Sequence, residues 1–169
     1  MKEKKIFTVN QSLYLGLIQV LFLVVLYFSK KLFTNWDNIS FLIALTFVYW
    51  SSIKYRDNYF GGFIRYSQVF SYGLKIMVLA GIIIGFFYFI LLTADSEIKN
   101  QQIYIMLEKF QQLKYPDRMI EEMETLLLKN YPWIVFFTSI VNGFIMGIFV
   151  SLLTSIFVKK NDDSLVFSE

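Results

Sequence analysis

Apolar residues in this chain come in long runs, without the narrow stripes that soluble helices show. The first run extends from Ser12 to Phe28, with Gln19 inside it, and is closed by Ser29, Lys30 and Lys31. The second, Ile39 to Ile53, is the shortest. Trp36 lies before it and Trp50 and Tyr55 near its end, aromatic side chains suited to the two interfaces of a bilayer. The third covers residues 74–94 and is uncharged after Lys75; the fourth covers 132–158 and carries no charge. Pro132 fits the first turn of that last helix, where its missing N–H costs nothing. A helix rises about 1.5 Å per residue, so about 20 apolar residues cross a hydrocarbon core. The pattern predicts an all-α membrane protein with four transmembrane helices, at 12–28, 39–53, 74–94 and 132–158.

Residues 95–129 are too many for a turn and too apolar for disorder. Ile103, Met106, Leu107, Phe110 and Leu113 recur at helical spacing, as do Met119, Ile120, Met123, Leu126 and Leu127 after Pro116. An extramembrane helical hairpin between helices 3 and 4 is expected there. Neither Gly nor Pro occurs between Phe86 and Tyr115, so nothing obvious stops the third helix from running on into it. Phe110, Leu113, Met119 and Met123 are the residues expected to meet a protein partner. Glu121, Glu122 and Glu124 diverge around a helix and read as a solvated face, with no metal site. Residues 161–169 read as a disordered tail.

Small residues mark where helices approach. Gly143, Gly147, Ser151 and Ser155 recur every four residues, and Gly73, Gly81 and Gly85 make a matching stripe on the third run. In lipid such stripes let backbones come close and gain dispersion contacts. The expectation is packing of helix three on helix four through Gly73, Gly81, Gly85, Gly143, Gly147 and Ser151, with self-association as the alternative use. Gln19, Thr46 and Asn142 are the polar residues expected to bond between helices.

Composition sharpens this picture by exclusion. Of 169 residues, 56% are hydrophobic and 17% charged, against about a half and a quarter in soluble domains. With neither cysteine nor histidine there is no disulfide, thiolate or imidazole chemistry. A net charge of +3 is too balanced for nucleic acid. No ionisable residue lies at the centre of a run, where it would mark a transport path or a catalytic group. Lys75 stands at the edge, as a snorkelling interfacial lysine does. No catalytic residue, cofactor or metal ligand is assigned, and the chain is not read as an enzyme.

Charge also orients the chain. Four crossings put both termini, the Lys54–Arg65 loop and Lys75 on one side, with nine Lys and Arg against seven on the other. The positive-inside tendency then places the N- and C-termini in the cytoplasm.

The stretch Ile53-Lys54-Tyr55-Arg56-Asp57, then Gly61-Gly62-Phe63-Ile64, then Ser67 and Gly73, resembles the bacterial domain of unknown function 4199 family. So do the Met/Glu/Gln-rich loop and the final glycine-bearing helix ending in Lys159-Lys160. The resemblance covers nearly the whole chain. It implies a four-helix protein of the bacterial inner membrane and carries over no activity, substrate or catalytic residue. The expected function is structural or interactive, with the lipid bilayer and a protein at the hairpin as partners and a homo-oligomer left open. A small channel, transporter or lipid-handling component is the alternative.

Overall fold

Five helices make up almost all of residues 2–33 and 39–160, which the computed structural model describes. They are α1 (Lys2–Phe28), α2 (Ile39–Phe60), α3 (Tyr66–Ala94), α4 (Ser96–Gln112) and α5 (Asp117–Val158). Among the described residues three helices, α1, α3 and α5, are long and apolar enough to cross a membrane. The second run lies in α2, which is not one of the three. Trp36 and the tail 161–169 fall outside the described residues.

Local chemistry sets the helix ends. Asp95 takes extended backbone angles (φ −110°, ψ 94°), and its side chain accepts from the Ile98 N–H at 3.1 Å. That N-cap satisfies one orphan donor of α4 and separates it from α3. The third helix therefore stops at Ala94, and does not run on as the lack of Gly and Pro suggested. At the far end of α4 the Tyr115 N–H donates to the Phe110 carbonyl and the Lys114 N–H to that of Gln111, with Lys114 at φ +59°. The same pair of bonds closes α1, from Lys31 to Leu26 and from Lys30 to Tyr27, with Lys30 at φ +55°. Both are Schellman closures with lysine in the left-handed position that usually holds glycine.

Two boundaries differ from expectation. α2 continues through Lys54, Tyr55, Arg56 and Asp57 to Phe60, leaving only a short turn in which Gly61 and Gly62 have φ of +61° and +91°. Pro132 does not open a helix. It lies inside α5, whose 42 residues join the second limb of the expected hairpin to the fourth run. Proline there leaves the Leu128 carbonyl without its usual donor, a cost of about 3 kcal/mol that the surrounding packing must offset.

The chain divides into two compact units, Met1–Ile84 with Ile140–Glu169, and Gly85–Ser139. In the first, Leu15, Ala44, Val48, Tyr72, Ile76, Met77, Ala80 and Val150 form one buried cluster drawn from α1, α2, α3 and α5. Side-chain contacts fix the directions of these helices. Phe7 stacks near Tyr72 and a Cβ on Gly16 would meet Ile83, so α1 and α3 are parallel. Gln11 reaches Ser51 and Gln19 reaches Ser40, so α1 and α2 are antiparallel. In the second unit, Leu92, Ile103, Leu107, Ile120, Leu127 and Tyr131 form a separate core from α3, α4 and α5.

Candidate functional site

The first unit carries polar residues among its apolar core and leaves an apolar surface. On α1 the buried face mixes Thr8, Gln11, Ser12, Gly16 and Gln19 with Leu15, Leu23 and Leu26, while Leu13, Leu17, Leu21 and Val25 are exposed. On α5, Ser151, Thr154 and Ser155 are buried, while Leu152, Leu153, Ile156 and Phe157 are exposed. Many of the buried hydroxyls bond within their own helix: Thr8 to the Lys4 carbonyl, Ser12 to Thr8, Thr154 to Val150, Ser155 to Ser151. That satisfies them without water, as a bilayer interior demands.

One polar group links three helices. The Ser51 hydroxyl lies 2.5 Å from the Tyr72 hydroxyl and donates to Gln11 Oε1 at 3.3 Å. The Tyr72 ring stacks on Tyr55 with centroids 4.0 Å apart and planes 5° from parallel, and Phe7 stacks beside both. Of the polar residues singled out from sequence, Gln19 Nε2 donates to the Ser40 carbonyl at 3.2 Å, whereas Thr46 and Asn142 are exposed. The Gln11–Ser51–Tyr72 group was missed because Gln11 was placed before the first run. Two adjacent serines inside an otherwise apolar helix were the available signal.

Most basic residues of this unit gather at one end, Lys30 and Lys31 lying instead at the far end of α1. Lys4 Nζ lies 3.7 Å from the centroid of the Phe60 ring. Ile64 and Lys160 exchange backbone hydrogen bonds of 2.9 and 3.1 Å, tying the turn after α2 to the end of α5. Beside this end a groove of about 670 Å³ opens along α1, α3 and α5. Lys4, Lys5 and Lys75 line it together with Thr8, Tyr55 and an apolar wall that includes Val78, Leu79 and Phe144.

The small residues fall at helix crossings. A Cβ on Gly143 would lie 3.0 Å from the Met77 carbonyl oxygen and 3.1 Å from Gly81 Cα. One on Gly147 would lie 2.9 Å from Met77 Cβ, and one on Gly73 would lie 2.7 Å from Ser151 Oγ. Within the second unit, Gly85 faces the Phe136 carbonyl at 3.0 Å on the same construction.

The four expected partner-contact residues separate. Phe110 and Met123 pack against the buried cluster of the second unit. Leu113 and Met119 are exposed, at 69% and 51%. Among the described residues no group of three Asp or Glu converges as a metal site would require.

The family described as "Protein of unknown function (DUF4199)" matches residues 11–160. No curated protein and no solved structure matches the chain.

Proposed function

The chain belongs to this family of proteins of unknown function, and from that premise we propose a multi-pass protein of the bacterial inner membrane with a structural or interaction role. α1, α3 and α5 cross the bilayer, α2 makes a fourth crossing, and both termini lie in the cytoplasm. No chemical step is assigned to any of its residues. The observation that carries the reading is the apolar surface of the first unit. Its helices expose Leu13, Leu17, Leu21, Leu152, Ile156 and Phe157, while serines, threonines and glutamines lie buried among its apolar core, which suits hydrocarbon outside and hydrogen bonding within. Water would penalise that arrangement strongly, since each exposed leucine forgoes roughly 1.5–3 kcal/mol of burial. α5 is also about twice the length a crossing needs, which leaves part of it for contacts beyond the bilayer.

The chain has no cysteine, so one introduced thiol reports accessibility cleanly. Lys109→Cys reacts with a membrane-impermeant maleimide in intact cells, and Asn58→Cys reacts only after lysis. Labelling of Asn58→Cys in intact cells overturns this topology.

A further inference from the structure

The groove of the first unit has an amphipathic gradient. Lys4 and Lys5 sit near the start of α1, and Lys75 lies on the parallel helix α3. From Lys75 to Leu79 the wall changes from charged to apolar within about 6 Å of helix rise. Phe144, from α5, lies on the apolar stretch. No carboxylate lines the groove, and among the described residues none lies within ion-pair distance of Lys4, Lys5 or Lys75. Lys4 rests on the Phe60 ring, which positions its ammonium without neutralising it. Three cations line one groove with no carboxylate among its lining residues, beside a low-dielectric wall, and an anion there is attracted by all three. The volume, about 670 Å³, lies within the range of roughly 300–1,000 Å³ typical of ligand pockets.

We infer that this groove holds one anionic phospholipid, its headgroup phosphate among Lys4, Lys5 and Lys75 and an acyl chain along Val78, Leu79 and Phe144. A soluble anion would match the lysines and leave the apolar wall uncovered. A zwitterionic lipid would cover the wall and carry its own cation toward the lysines. Only a lipid of net negative charge answers both halves of the groove. The inference rests on the membrane reading above.

Native mass spectrometry of the full chain, purified in detergent, tests it with an equimolar mixture of phosphatidylglycerol and phosphatidylcholine of identical chains. The wild type retains phosphatidylglycerol in preference. Lys4→Gln, Lys5→Gln and Lys75→Gln combined reduce that preference by about tenfold or more, from the attraction each lysine exerts on an anionic lipid. Lys54→Gln with Lys159→Gln, basic residues that do not line the groove, leave the preference intact. Val78→Trp fills the apolar stretch and lowers retention of both lipids. Equal retention of the two lipids by the wild type, or an equal loss in the Lys54/Lys159 pair, overturns the site. So does displacement of the lipid by excess glycerol phosphate, or a dimer carrying no lipid. The membrane reading is checked apart from this, by recovery of the wild type in the carbonate-washed membrane fraction. Recovery there without lipid preference removes the site alone; failure of recovery removes both.

Discussion

The hydroxyls of Ser51 and Tyr72 share one hydrogen bond between α2 and α3, and Ser51 alone extends it to Gln11 on α1. The three residues are not equivalent as a result. Ser51→Ala strands two buried partners, while Tyr72→Phe leaves Ser51 still bonded to Gln11. Ser51→Ala is expected to cost about 1–3 kcal/mol in thermal unfolding in detergent, and Tyr72→Phe clearly less. Equal losses would show that the link to Gln11 contributes nothing.

Lys30 and Lys114 occupy left-handed backbone positions at the ends of α1 and α4. A side chain there costs about 1–2 kcal/mol, part of which glycine gives back through its freer unfolded chain. Lys114→Gly should stabilise the protein by roughly 0.5–1 kcal/mol. The same change at Lys109, inside α4, should destabilise by about 1 kcal/mol. The contrast is read as opposite shifts in melting temperature, and a fall for Lys114→Gly would contradict the closure.

Asp95 accepts from the first turn of α4, so Asp95→Ala should cost about 0.5–2 kcal/mol and Asp95→Asn very little. Hydrogen exchange localises the effect: the amide of Ile98 loses protection in the alanine variant alone. Unchanged protection at Ile98 would mean that the side chain does not hold this end.

At Gly143 an added side chain meets backbone, which cannot rotate away. Gly143→Ala is expected to destabilise by about 1–3 kcal/mol and Gly143→Leu by more. Phe149→Leu, at an exposed position, should change little. Indistinguishable melting of these variants would exclude close packing of α3 on α5 at that level.

The exposed pair Leu113 and Met119 is the better probe of a partner than the packed pair Phe110 and Met123. Leu113→Asp with Met119→Asp should leave stability within about 0.5 kcal/mol while abolishing cross-linking to any partner the wild type captures. Phe110→Asp with Met123→Asp should lower stability itself by several kcal/mol. Full retention of partners by the exposed pair would reduce residues 95–129 to a connector.

These differences show what apolar patterning carries and what it does not. Run length reports the solvent a segment needs, so the apolar centres of α1, α3 and α5 were legible. It says nothing about where a helix ends. α2 keeps its hydrogen-bonding ladder through Lys54 and Arg56, and α1 begins at Lys2, because lysine, arginine and glutamate are good helix formers despite their charge. The break at Asp95 was written as an N-cap ahead of Ser96 and Glu97, a signal that a search for Gly and Pro passes over. Pro132 misled in the opposite sense, since packing on both sides carries α5 through it. Four-residue spacing picked out Gly143 and Gly147. The residues lying over them, Gly81 and Met77, follow only from the relative register of α3 and α5.

The paired amides of Ile64 and Lys160 close a circuit in the chain, joining the turn after α2 to the end of α5 by two backbone hydrogen bonds of 2.9 and 3.1 Å. The two segments are therefore coupled: Lys160→Pro, which has no N–H to donate, is expected to loosen both together.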